Sequence, residues 1–511
     1  MSPNPGPRNP WLADSSHAIG HGRCDQQDND PIAGPAGPGG DLRGTDQVQY
    51  SWLGSGHFGG LTSGLYDDGG RVIWTNGREQ IAKLDYDTLE VLATFDLVET
   101  PTSLEERKNG LAELDTLDGK EALDHAIGLA LTHMTGIDGV YSLLDADHRL
   151  FVGRKQYVVA YAETDPADRH SPIVEAARWD PPPEVTGLFV GMNITFDGWL
   201  VVTTDEGWVV ALSRDFSEYR TLQLPGAAEE AAAFNTRIDR PGFTWVRTSI
   251  CTGDDGGVYV SSVDHTHKII WTGDALSLDP DHGAWRAEYR NGAGLGSGTT
   301  PCLMGFDDED RFVVIGDGDD VVNITLFWRD EIPDDWEQLP GAPSRRIAGM
   351  GAANMGNPDA TAVQTEQSIT VSGYGAMTVN NEPASIPDGY PDRGVRLLVF
   401  FLGHKPEFTP HGMHKFAWDP LSRQFAEAWV NREVSSPNSV PFVSQTSDLV
   451  YTCGCRDSQW TIEAVDWTTG DARGHWILGG SQFNSLGAGV TLDEHGRIVY
   501  GNTFGKTRLL V

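Results

Sequence analysis

A run of about eighteen apolar residues, the least that carries a helix across a bilayer, is missing from the 511-residue sequence, whose longest strong run is VRLLVFFLG at 395–403. A membrane span is therefore not expected. Cysteine is scarce as well, and five residues, an odd number, do not make a disulfide framework. The opening residues, MSPNPGPRNPWLADSSHAIGHG, lack the basic and apolar regions of a secretory signal, so a soluble, cytoplasmic protein is the expectation. Basic residues are outnumbered, 37 against 73 acidic, for a formal net charge of −36. That field repels phosphate backbones and anionic lipid surfaces, which removes nucleic acid and membranes from the expected partners.

What the chain has in quantity is turn chemistry, with 60 Gly, 29 Pro and abundant Asp. Between 61 and 97 four short strand patterns, LTSGLYDD, GRVIWTNG, EQIAKLDYD and EVLATFDL, are separated by Asp/Gly or Asp-x-Thr turns. The first turn and second strand recur as LLDADHRLFVGR, ITFDGWLVVTTDEG, CTGDDGGVYVSS, GFDDEDRFVVIGDG, ITVSGYGAMTVNN, VSQTSDLVYTCGCR and VTLDEHGRIVYGN. Anchored on turn positions 67, 145, 197, 254, 307, 373, 447 and 493, the units number eight. A four-stranded unit cannot bury both faces alone, so such units pack around an axis. The expected fold is all-β: a single eight-bladed β-propeller over 46–511.

The last unit holds three strands, whereas DQVQYSWL at 46–53 supplies a spare one, so an N-terminal strand is expected to close the ring. Residues 1–45 read as an irregular segment, with Trp11, His17, His21, Asp25, Gln26 and Gln27 close together, and two readings are open: a disordered tail, or a segment that lies across a propeller face and completes the site. A small helical insertion is expected at 99–136, opened by a capping box at Ser103 and Glu106. A long connection at 381–412 reads either as a lid over the mouth or as an extra hairpin packed on the rim. Cys453 and Cys455 in YTCGCRDS read as strand residues.

Residues leading into each innermost strand lie at one mouth of the axial channel. In this sequence they are His57, His133, Glu184, Arg247, Thr299, Gln364 with Glu366, Asn438 and Asn484. Polar throughout, this ring is a site expectation. Connections between second and third strands open on the same face and add Arg78, Arg154 and Arg456. Two chemistries are open. His57 and His133, with Glu366, His404 and His411, would bind a divalent metal such as Zn, Cu, Mn, Fe or Ca. Alternatively His57 or His133 acts as general acid or base, with Arg78 or Arg247 stabilising an oxyanion and Glu184, Thr299, Gln364, Asn438, Asn484, Arg154 and Arg456 holding substrate.

The segment AVDWTTGDARGHW, Ala464 to Trp476, with the shorter LDYDTLE and AWDPLSR, resembles the A-x-D-x-x-T-G-x-x-x-W docking element of the quinoprotein alcohol dehydrogenase-like propellers. The resemblance implies pyrroloquinoline quinone (PQQ) and calcium in the central funnel. The sequence departs from that pattern in having no adjacent Cys-Cys pair and no secretory signal, which counts against PQQ. The expected function is a small-molecule enzyme of oxidoreductase, lyase or hydrolase type with its site in the funnel. The alternative is a protein-interaction scaffold, although WD-repeat signatures are absent.

Overall fold

The structure, a computed structural model, describes residues 6–17, 23–238, 243–390 and 395–511. His21, the His17 side chain and residues 391–394 of the long connection lie outside the described residues.

The repeat is built on aspartate. In the first turn of the second unit, Asp145 Oδ1 accepts the backbone N–H groups of Asp147 and Arg149 at 3.0 and 2.8 Å. In the last unit Asp493 Oδ1 does the same for His495 and Arg497 at 3.0 and 2.9 Å. An aspartate that holds its own turn this way leaves its second oxygen for a neighbour. Asp145 Oδ2 pairs with Arg214 at 2.7 Å, Asp197 Oδ2 accepts the Trp271 indole N–H at 2.8 Å, and Asp310 Oδ2 accepts that of Trp418 at 2.8 Å. In each case the partner sits at or just beyond the end of the third strand of the following unit, so Asp145 both holds its own turn and links two units, while Asp197 and Asp310, at other positions of their turns, supply the link.

Among the described residues the strands group into eight four-stranded antiparallel units. The first runs Leu61–Thr62, Val72–Asn76, Gln80–Asp85 and Val91–Asp96; the fourth has its outer position shared by Leu276–Ser277 and Trp285–Glu288. Val48–Trp52 pairs antiparallel with Gly505–Leu509 and is the outermost strand of the eighth unit. Neighbouring units bury their faces against each other. Trp74 and Tyr161 meet between the first and second, Tyr451 and Tyr500 between the seventh and eighth, and Val499 of the eighth packs with Ile73 and Leu84 of the first. The fold is an all-β propeller.

The N-terminal segment does more than lie on a face. Leu12–His17 bridges the innermost strands of the first two units and joins them into one nine-stranded sheet. Residues 24–30 then pass along the inner strands of the next units. The carbonyls of Cys24, Asp25, Gln27, Asp28 and Asp30 accept the backbone N–H groups of Thr252, Leu303, Val371, Val443 and Gln445 in turn. Cys24 through Asn29 are all buried. This strap follows the axis at the end of the inner strands that carries the aspartate turns, and leaves outward along the seventh unit by parallel pairing of Gly39–Asp41 with its outer strand.

Helices come from insertions. The capping box at Ser103 and Glu106 starts α1 (Leu104–Thr116), followed by α2 (Gly119–Leu129) and a π-type turn at Ala130–Met134. The alanine-rich α3 (Ala227–Ile238) was not anticipated. The long connection of the sixth unit contains α4 (Val395–Leu402). Leu398, Phe401 and Leu402 of α4 share a buried cluster with Leu111, Leu114, Leu123 and Phe504. The two insertions thus pack on each other over the mouth opposite the strap.

Candidate functional site

The ring residues occupy the ends of the inner strands remote from the aspartate turns. Their side chains do not all face the axis. His57 is fully buried, with Nδ1 3.3 Å from Thr75 Oγ1. A Cβ placed on Gly77 would lie 2.2 Å from His57 Nε2, so that nitrogen is packed against backbone and has no room for a ligand. Burial, then the nearby Lys506 and Arg107 cations, takes its pKa down to about 3. His133, on the π-type turn, is buried edge-on to Phe504 with ring centroids 5.1 Å apart, and burial lowers its pKa as well. Both histidines are electrostatic neighbours of Arg107, which pairs with the buried Glu79. Arg78 donates to Thr132 O at 3.3 Å and stands 3.4 Å from Glu79.

The residues expected to hold a metal are not brought together. Among the described residues no three His, Cys, Asp or Glu side chains come together as a cation site. His404 is buried against the Trp460 ring at 5.4 Å, and burial takes its pKa to about 3. His411 is exposed, with Nδ1 2.9 Å from Glu433 O. His57 and His133 stand behind the ring, and Glu366 is held by arginines.

Several of the remaining expected residues are engaged in construction. Asn438 donates to Val399 O at 2.8 Å, Asn484 donates to Phe400 O, and the two amides meet at 3.1 Å, so together they hold the carbonyls near the end of α4. Arg154 pairs with Asp138 at 2.6 Å, and Arg456 pairs in a fork with Glu463 at 2.8 and 2.7 Å. Gln364 donates to Asp319 O and Asp320 O, both at 3.0 Å, and Thr299 Oγ1 accepts the Gly316 N–H at 2.8 Å. Glu184 is exposed.

What converges at the mouth is a charge cluster around Glu366. Its Oε2 accepts from Arg247 Nη1 at 2.8 Å and from Arg396 Nη2 at 2.9 Å. Arg247 is fixed by the body of the propeller, donating also to Ser297 O at 3.0 Å and Gly296 O at 3.2 Å. Arg396 comes from α4. Both guanidinium groups lie over the Phe243 ring, at 4.4 and 4.8 Å, and Arg396 lies also 5.6 Å from Phe400. Gly298 permits the close approach, since a Cβ there would stand 3.1 Å from the Glu366 carboxylate. Burial works to raise the Glu366 pKa, but the two arginines outweigh it and hold the group below its ordinary range as a carboxylate. Tyr141, beside Thr300 and this cluster, is pushed up by burial and stays a phenol.

Sequence reasoning reached Arg247 and Glu366 but missed Arg396 and Tyr141. The one signal for Arg396 was a single charge inside the otherwise apolar VRLLVFFL of α4. The cluster does not fit the quinone and calcium that the fold resemblance implied. Calcium takes about six to eight oxygen ligands, and the one carboxylate here already accepts from two guanidinium groups, whose positive charges repel a cation. All five cysteines are free and buried, Cys453 and Cys455 within one strand of the seventh unit.

No family model matches the sequence. An uncharacterised protein of Archaeoglobus fulgidus is 33% identical over 388 residues, covering 74% of this chain and 71% of that protein. Among solved structures, the quinohemoprotein alcohol dehydrogenase of Comamonas testosteroni superposes with a TM-score of 0.51 at 11% identity, over 99% of this chain and 81% of that one. The quinohemoprotein alcohol dehydrogenase ADHIIG of Pseudomonas putida HK5 gives 0.50 at 12% identity, over 98% and 80%. At such identities the likeness is one of fold alone.

Proposed function

The chain belongs to the same family as the Archaeoglobus fulgidus protein, and for it we propose a small-molecule enzyme that acts on a carboxylate-bearing substrate at the α4-covered mouth of the propeller. The observation that carries this reading is the Arg247–Glu366–Arg396 cluster, one arginine on the rigid body and one on the covering helix. Two guanidinium groups against one carboxylate leave a local charge of +1 in a protein whose net charge is −36. Each guanidinium has five N–H donors, of which Arg247 commits three groups to Glu366, Ser297 and Gly296. A substrate carboxylate takes the remaining donors, bridging the helix to the body.

The chemistry supported is proton transfer. Glu366, kept ionised, is the acceptor, and Tyr141, kept protonated, is the donor. Such proton transfer supports a hydrolase or lyase reading. The scaffold reading has less support, because the mouth is roofed by α1, α2 and α4 instead of presenting an open apolar patch. The five buried free thiols suit a reducing, cytoplasmic setting.

The test is a thermal-shift series with small dicarboxylates, monocarboxylates and uncharged analogues. A bound dicarboxylate at about ten times its Kd contributes about 1.4 kcal/mol and raises Tm by about 1–3 °C. The rise should vanish in Arg396→Ala and in Arg247→Ala and persist in Arg456→Ala. Equal shifts from uncharged analogues, or a shift that survives Arg396→Ala, would overturn the assignment.

A further inference from the structure

The sequence has eight lysines, and five of them, Lys83, Lys268, Lys405, Lys415 and Lys506, are buried. A buried ammonium group is costly unless an anion answers it. Three have that answer: Lys83 pairs with Glu163 at 2.9 Å, Lys268 with Asp255 at 2.8 Å, and Lys405 with Asp118 at 3.3 Å. Lys506 is completely enclosed and donates to Gly59 O. Lys415 differs from all four. Among the described residues no carboxylate stands within salt-bridge distance of it, and its side chain borders a cleft of about 280 Å³ at the aspartate-turn end of the sixth and seventh units.

The surroundings of Lys415 are built for it. Nζ donates to Trp467 O at 2.5 Å, a carbonyl shared with the Trp429 indole N–H at 2.9 Å. It lies 4.0 Å from the centre of the Trp467 ring. Position 375 is glycine, and a Cβ there would stand 2.6 Å from Lys415 Cε and 2.9 Å from the Trp467 ring. The stem is thus fixed between backbone and indole. One N–H is committed to Trp467 O, the nitrogen lone pair of the neutral amine is uncommitted, and Lys415 lines the cleft together with Ser372, Tyr374, Gln445 and Asp448.

We propose that Lys415 is a reactive amine, separate from the funnel site, that captures a small uncharged aldehyde as an imine in this cleft. The amine nitrogen adds to the carbonyl carbon, the carbinolamine loses water, and the C=N bond that forms takes up a proton. The resulting iminium keeps one N–H for Trp467 O and keeps its positive charge over the indole, so the product inherits both contacts of the ammonium. The small cleft limits the ligand's size, and Asp448 disfavours an anionic one. Burial lowers the Lys415 pKa from 10.5 to about 8, which raises the neutral fraction at pH 7 about three-hundredfold over an exposed lysine.

The test uses the full chain, limiting propanal and sodium cyanoborohydride at pH 7, with label read by peptide mass mapping. Lys415 should carry at least about tenfold more label than the exposed Lys108, Lys120 and Lys155. Its labelling rate should rise with a midpoint near pH 8, and Lys415→Arg should abolish that label alone. The wild-type measurement stands whether or not the variant folds. Label on the three exposed lysines with Lys415 spared, or label at Lys415 that appears only once urea has unfolded the chain, would overturn the proposal.

Discussion

At one end of the axial channel the closing atoms are backbone, and at the other they are side chains on inserted helices. The strap at Cys24–Asp30 presents successive carbonyls to the inner strands of four units, so its fit depends on the chain's path more than on residue identity. The mouth is covered by α4, and what meets there is Glu366 between a body arginine and a helix arginine. Closure by repeated backbone bonds is permanent and stabilises the fold. Closure by packed helices and an arginine–glutamate cluster rests on side chains, and under the proposed function it is the end that opens to admit a ligand.

The difference can be broken first at the strap. Deleting residues 1–30 removes acceptors from five inner-strand N–H groups, worth about 1 kcal/mol each and about 5 kcal/mol together. That is a large part of a typical total stability of about 5–15 kcal/mol. Denaturant unfolding followed by tryptophan fluorescence should show that loss. A truncated chain as stable as the full one would make the strap an accessory.

A smaller effect distinguishes the covering end. His404, just after α4, is buried neutral with its pKa at about 3 against 6.5 in a free chain. Below pH 6.5 the unfolded chain takes up a proton that the folded one refuses, so stability is present above 6.5 and falls as pH drops toward 3. Between pH 6.5 and 5 the loss is about 2 kcal/mol. Asp205 and Asp317, raised by burial to about 6 and 7, run the opposite way. They cancel when wild type is compared with His404→Gln, whose stability deficit should shrink by about 2 kcal/mol between pH 7 and pH 5. A deficit that does not change with pH would mean that His404 is not buried in the neutral form.

Much of the propeller was legible because its turns are made locally. An aspartate that bonds to the N–H groups two and four residues on, as Asp145 and Asp493 do, writes itself into the sequence of its own unit. The spare strand at 46–53 and the capping box at Ser103 were legible for the same reason. The candidate site was legible only in position. The spacing brought His57 to the mouth, but the packing of its ring against Gly77 is a contact no local pattern encodes. Arg396 bonds to Glu366, and Tyr141 comes beside the cluster, from segments remote in the chain. That the N-terminal segment crosses a propeller face was among the readings, but its strand-by-strand bonding was not legible, because its partners are backbone groups, which every residue has.

The most direct test of a reversible mouth opposite a permanent seal is hydrogen–deuterium exchange with and without a saturating dicarboxylate that raises Tm. Binding at the mouth predicts new protection in 395–402, 244–249 and 364–368, with the strap at 24–30 already protected and unchanged. Protection confined to the strap or the aspartate turns, with α4 unaltered, would contradict the account.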